Sequence, residues 1–315
     1  MLNPQLDRRG ELAHLLTTEG LPRRHVVRLL EMARGHAAAG DAPPSAAPEM
    51  PVFLCLPDTD AADREAYAVA AASLSMLPVP LDAQAGQALA ETVAGLAPGV
   101  LVLRHPQSGA AHCAAAHAAP GLRVLNAGDG RHADPVPALA LMQAIGDAKP
   151  DLTSLVVTLV GDIRHSRVAR SIIHLLTTLG VPEVRAAAPR TLLPDGLAQL
   201  GVRACATLLE GLSDADVVIV FPLNVEDLSG AQLPSAREYA HTHGLTAATM
   251  AAAKPDVLLL PAGGLVPGVE VDGDIAAGLE PTEAGVAALE QPLRTAVLRV
   301  LAGAAPCDCT SPMAG

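Results

Sequence analysis

The stretch that most restricts what this chain can fold into runs from Leu155 to Gly180, LVVTLVGDIRHSRVARSIIHLLTTLG. Leu155 to Val160 is a short apolar run of the length and composition of a buried parallel strand. Gly161 breaks the run, and Asp162 to His165 form a polar loop. From Ser166 the period changes: Val168, Ala169, Ile172, Leu175, Leu176 and Leu179 recur at helical spacing and make one apolar face. Ser166 is placed to cap the helix N-terminus, and Gly180 with Pro182 ends it. A strand, tight loop and helix of this kind sets loop residues at the carboxyl edge of a sheet, where open α/β folds bind ligands. Arg167, in the first turn, stands among unpaired backbone N–H groups, so the place suits an anion.

The same alternation recurs along the chain. Val52 to Leu56, Leu77 to Leu81, Val100 to Leu103, Val184 to Ala187, Val217 to Phe221 and Val257 to Leu260 read as strands. Helical patterns lie between them, including a stripe of Val26, Val27, Leu29, Leu30 and Ala33 after Pro22. Over 315 residues this predicts an α/β protein of two doubly wound parallel-sheet domains joined by interdomain helices. The expected divisions are a first domain over 1–146, a second over 147–288, a closing helix over 289–303 that returns to the first, and a disordered tail over 304–315. Pro292 predicts a kink or a late start in that closing helix. With no Trp, two Phe and two Tyr, the cores must be aliphatic.

The formal charge of −12 argues against nucleic acid as a partner, which needs a basic face. No secretory leader is evident, and the apolar runs are too short to span a bilayer, so a cytoplasmic protein without a membrane partner is expected. Five cysteines, an odd number, read as reduced thiols, and Cys307 and Cys309 as part of the tail rather than a metal pair. His112 and His117 are five apart, off the spacing that puts two ligands on one helical face, so no metal is expected.

The run VGDIRHSRVARS followed by HLLTTLG resembles the start of the aspartate-binding domain in aspartate carbamoyltransferase catalytic chains. Residues 126–135, NAGDGRHADP, are close to a signature of the same family, and Arg104-His105-Pro106 and the opening Glu19-Gly20-Leu21-Pro22 also match. The resemblance covers nearly the whole chain. It implies the carbamoyltransferase fold, a trimer with sites between neighbouring chains, and chemistry that needs no cofactor. It further implies that Arg104 stands where the family contacts the carbamoyl phosphate carbonyl, that Arg167 stands where it holds aspartate, and that Arg64 is what remains of its phosphate loop.

At most other substrate positions the chain departs from the family. The Ser-Thr-Arg-Thr-Arg phosphate loop aligns with Asp60, Ala61, Ala62, Asp63 and Arg64. A carboxylate beside a phosphate dianion is repulsive by ~4 kcal/mol per charge pair at contact in a partly buried site. Asp60 is accordingly expected to re-cap the helix that lost its ligand. The lysine of the family's intersubunit loop falls on Ala85, in a segment shortened around Gln84. The histidine and glutamine that grip the carbamoyl group fall on Asp134 and Pro137, and the Arg-x-Gln pair on Pro222 and Asn224. The His-Pro that presents carbonyls to the carbamoyl amine falls on Pro261 and Ala262.

Scaffold is kept and donors are lost, where losing one such donor typically costs ~10²-fold or more in rate. The leading expectation is a non-catalytic homologue linked to pyrimidine biosynthesis, acting through assembly as a homotrimer or in a mixed oligomer with an active chain. The alternatives are a working aspartate carbamoyltransferase with rebuilt contacts, and a binder or transferase for another small anion built on Arg104 and Arg167. Arg104 and Arg167 are expected to lie near each other across the cleft, with Asp60, Asp63 and Asp134 close by neutralising them and leaving little positive potential for a dianion.

Overall fold

The structure is a computed structural model, and it describes residues 3–39, 50–81, 89–223 and 235–303. Ala85, Asn224, Cys307, Cys309 and the expected tail lie outside the described residues.

The first half runs α1 (Arg23–Ala39), β1 (Pro51–Cys55), α2 (Ala61–Ser73), β2 (Leu77–Pro80), α3 (Leu89–Ala94), β3 (Gly99–His105), α4 (Ala110–His117), β4 (Leu122–Asp129) and α5 (Pro135–Ala148). The second runs β5 (Val156–Gly161), α6 (Arg167–Leu179), β6 (Glu183–Ala187), β7 (Val202–Ala204), α7 (Leu208–Leu212), β8 (Val217–Phe221), α8 (Ala236–His243), α9 (Ala247–Met250), β9 (Leu258–Pro261) and α10 (Gly273–Leu301). Two parallel sheets result, ordered β2-β1-β3-β4 and β7-β6-β5-β8-β9. These are the two α/β domains the strand and helix alternation predicts.

Each sheet is covered on both faces. One aliphatic cluster runs through both domains, from Val52, Val100 and Leu125 to Val157, Ile219 and Phe221, with α1, α5, α6 and α10 contributing to it. A second covers the other face of the first sheet through Val93, Ala111 and Ala114. A third covers the other face of the second sheet through Leu208, Leu212 and Leu245. All four large aromatics, Phe53, Tyr67, Phe221 and Tyr239, are buried. Buried this way, an aliphatic side chain contributes about 1.5–3 kcal/mol.

Two details differ from expectation. Gly161 does not break the central strand but ends it, paired with Phe221. Its φ is +112°, and a Cβ there would fall 2.0 Å from the Phe221 carbonyl oxygen, so only glycine permits this close pairing. The closing helix begins at Gly273 rather than Leu289 and carries both Pro281 and Pro292 inside it. Asp272 caps it by accepting from the Ile275 N–H at 2.8 Å. The expected division at 288/289 therefore falls within a helix, and α10 packs against α1, α2 and α5 of the first domain as well as β9 of the second.

At the edge strand β2, the N–H groups of Leu77 and Leu81 donate to Met50 and Leu54 of the β1 side. With a period of two, Pro78 and Pro80 take the outward positions, where they offer no donor to an added strand.

The N-terminal segment is tied to the first sheet through His14, whose Nδ1 accepts from the Val124 N–H at 3.0 Å. Burial, then the Arg123 charge, pushes the imidazole from 6.5 down to about 4. The folded chain thus holds this proton less tightly than the unfolded chain. Its contribution to stability is complete above pH 6.5 and is lost as pH falls towards 4. A His14→Gln variant should lose about 2 kcal/mol less than the parent chain between pH 7 and pH 4.5. Urea unfolding at the two pH values measures this, and equal losses in both proteins would contradict it.

Candidate functional site

Three structural units converge where the two domains meet at the carboxyl edges of their sheets. The first is the end of β1 and start of α2, bearing Asp60, Ala61, Ala62, Asp63 and Arg64. The second is the end of β3 with the β4–α5 loop, bearing Arg104 and Asp134. The third is the first turn of α6, bearing Arg167.

Arg104 is the centre of the arrangement. Its Nε donates to the Ala127 carbonyl at 2.6 Å. Nη1 lies 3.0 Å from Asp60 Oδ2 and Nη2 lies 2.8 Å from Asp63 Oδ2. Burial works against the Arg104 charge, but Asp134, Asp63 and Asp60 more than offset it and raise its pKa. Asp60 holds the N-cap position of α2 yet makes no capping hydrogen bond. The expectation that it re-caps the helix is therefore wrong in mechanism: its carboxylate is committed to Arg104, a stronger charge-assisted partner than a backbone N–H.

Asp63 is shared. Its Oδ1 accepts from Arg294 Nη2 at 2.8 Å, and the same nitrogen lies 2.6 Å from Glu290 Oε2, one turn back along α10. The Arg294 guanidinium carbon sits 5.2 Å from the centre of the buried Tyr67 ring. Burial pushes the Glu290 carboxyl up, opposed by Arg294. Arg294, Glu290 and Tyr67 are site residues that sequence reasoning missed. The available signal was the Glu290/Arg294 i,i+4 spacing on a helix expected to return to the first domain.

Asp134 precedes α5 and is buried; it accepts from Arg167 Nε at 2.9 Å. Its own N–H donates to Ser171 Oγ at 2.9 Å, so backbone and side chain both reach across to α6. Burial pushes the Asp134 carboxyl up, and Arg167 and Arg104 oppose this. The ion pair closes over Gly128, whose φ is +119°. A Cβ there would lie 2.8 Å from Arg167 Nε and 3.1 Å from Asp134 Oδ2. Arg104 and Arg167 thus share the neighbourhood of one carboxylate, and Asp60, Asp63 and Asp134 supply their counter-charges.

The other sequence-selected positions fall into place around this network. Arg64 turns away from it: its Nη2 donates to the Leu56 carbonyl at 2.8 Å and to Asp58 at 2.9 Å. Pro135 and Pro137 occupy the first turn of α5, so two of the N–H groups that would face an anion there do not exist. Pro222 follows β8, Pro261 ends β9 paired with Val220, and the Ala262 N–H donates to the Val220 carbonyl. These put backbone, but no side-chain donor, at the edge of the second sheet. His117 turns its Nδ1 to the Cys113 carbonyl at 2.9 Å, while His112 faces His132 instead.

The whole network sets three guanidinium groups against four carboxyl groups. Its members come from α2, β3, the β4–α5 loop, α6 and α10, so it joins both domains. Chemically, the arginines that could polarise an oxyanion are already coordinated by the protein's own carboxylates.

The architecture built on this cleft, with two parallel α/β domains and a C-terminal helix crossing back, is the carbamoyltransferase fold. No protein-family model matches the chain. Among solved structures, it is similar to aspartate transcarbamoylase from Trypanosoma cruzi in complex with N-(phosphonacetyl)-L-aspartic acid. That match has TM-score 0.76 and 22% identity and covers 93% of this chain and 98% of the other. Ornithine carbamoyltransferase from Pyrococcus furiosus matches at TM-score 0.77 and 20% identity, covering 93% and 97%. The enzyme of the same name from Thermus thermophilus matches at TM-score 0.75 and 19% identity, covering 92% and 99%. At these identities the likeness is one of fold.

Asp63 bridges two guanidinium groups, so Asp63→Asn should destabilise the chain by about 2 kcal/mol through two weakened ion pairs. Asp58→Asn, at a side chain 99% exposed, should change stability by less than ~0.5 kcal/mol. Urea midpoints of the two variants test this, and equal midpoints would remove Asp63 from the centre of the network.

Proposed function

We propose that this chain is a non-catalytic homologue of aspartate carbamoyltransferase. In this reading it acts through assembly, as a homotrimer or beside an active homologue in a mixed oligomer, in the cytoplasm and in the service of pyrimidine biosynthesis. The observation that carries the reading is the coordination of Arg104 by Asp60 and Asp63, with Arg167 held by Asp134. Carbamoyl transfer to an amine relies on positioning and on stabilising charge that develops on oxygen. A guanidinium already paired to a carboxylate contributes little positive potential to an incoming dianion.

The replaced positions support the same conclusion. Asp134 is an acceptor where the family has a histidine, and Pro137 offers no donor where it has a glutamine. No described helix is long and apolar enough to cross a membrane. The outward prolines of β2 favour association through side-chain surfaces over sheet extension.

The purified chain, given radiolabelled carbamoyl phosphate and L-aspartate, should form no N-carbamoyl-L-aspartate above the uncatalysed background. Its mass in solution should be that of three chains, or become so on mixing with an active homologue. Enzymatic product formation would overturn the non-catalytic reading, and a monomer under both conditions would overturn assembly.

A further inference from the structure

Around the end of β4, three side chains from separate elements converge. His112 lies on α4, Asp129 ends β4, and His132 lies in the following loop. One donor atom from each falls within 4.8 Å of the others. His132 Nδ1 is 3.1 Å from Asp129 Oδ2, and the two imidazole rings meet edge to face at 5.4 Å.

Asp129 is fully buried and held from three sides. Its Oδ1 accepts from Asn126 Nδ2 at 2.9 Å and the Ala133 N–H at 3.0 Å, and its Oδ2 from the Gly109 N–H at 2.8 Å. A carboxylate fixed this way has the outer support typical of a metal ligand, and both imidazoles remain part-exposed and accessible. Neither imidazole has a role in the ion-pair network, so that network does not explain the cluster.

We propose that His112, Asp129 and His132 bind one divalent transition-metal ion, zinc in the first instance. Two imidazoles and a carboxylate suit a borderline ion rather than magnesium or calcium, which prefer all-oxygen sets. Ligand atoms on a tetrahedral zinc lie roughly 3.3 Å apart, the spacing His132 and Asp129 already have, so binding draws His112 inward. Solvent completes the coordination. Asp129, and more weakly Glu19, favour positive charge at both imidazoles, while Arg170 opposes it at His132. The ion would staple the start of α4 to the loop that carries Asp134. This proposal stands independently of whether the chain is catalytic.

The test uses the full chain stripped of metal with a chelator and dialysed. Titration with zinc chloride should show one equivalent bound with micromolar or tighter affinity, and a hundredfold excess over Kd should raise Tm by about 5 °C. Cobalt(II) should give the visible absorption of a four-coordinate nitrogen and oxygen site. The His112→Asn/His132→Asn variant should keep the Tm of the metal-free parent and lose this equivalent. If the variant does not fold, the cobalt spectrum of the parent decides: a six-coordinate aquo spectrum overturns the site. No zinc binding below 100 μM in the parent, or an equivalent retained in a folded variant, also overturns it.

Discussion

The pairing of Arg104 with Asp60 and Asp63 is the constraint around which the cleft is arranged. A guanidinium this far from water needs counter-charge, because desolvating an ion costs several kcal/mol unless a partner offsets it. A bound anion could offset that cost, and here the first turn of α2 does so permanently. Once Asp63 is committed on one side, its second oxygen orders Arg294 over the Tyr67 ring, and Arg294 in turn orders Glu290. Removing any member leaves a neighbour short of charge, which makes the group a unit rather than a set of independent bridges.

The second consequence is mechanical. Asp134 to Arg167 and Ser171 links the β4–α5 loop to α6, and Asp63 to Arg294 links α2 to α10. These contacts join the two halves of the molecule across the cleft. The helix ends agree with this. Prolines in the first turn of α5 thin out its free N–H groups, and the carboxylate before it is turned to Arg167. Local backbone and long-range charge therefore favour the same outcome, a cleft filled by its own side chains.

Much of the fold was legible because its signals are short-range. The strand, loop and helix over 155–180 could be read from apolar spacing, Ser166 and Gly180. Ser166 does accept from the Ala169 N–H, and Gly180 does take the left-handed conformation. Two signals were misread. Gly161 looked like a breaker because its need, the approach of the Phe221 carbonyl, comes from a strand 60 residues later. Pro292 suggested a kink or a late start in the closing helix, yet the helix begins at Gly273 and, packed against α1, α2 and α5, runs through both Pro281 and Pro292. At the site, motif comparison placed Arg104, Arg167, Asp60, Asp63 and Asp134 together. It could not show that Asp60 abandons its cap, that Arg64 turns to Asp58, or that Arg294 and Glu290 enter from α10. Those depend on which charge reaches which, a property of the folded chain rather than of any local pattern.

Asp60, Asp63 and Asp134 occupy Arg104 and Arg167, and isothermal titration calorimetry with N-(phosphonacetyl)-L-aspartic acid shows directly whether an anion can displace them. That ligand presents a phosphonate and two carboxylates, which must displace Asp60, Asp63 and Asp134 to reach Arg104 and Arg167. No binding heat is expected at millimolar ligand concentration. Micromolar or tighter binding by the unmodified chain would contradict it, since the arginines would then be available and the cleft open to substrate.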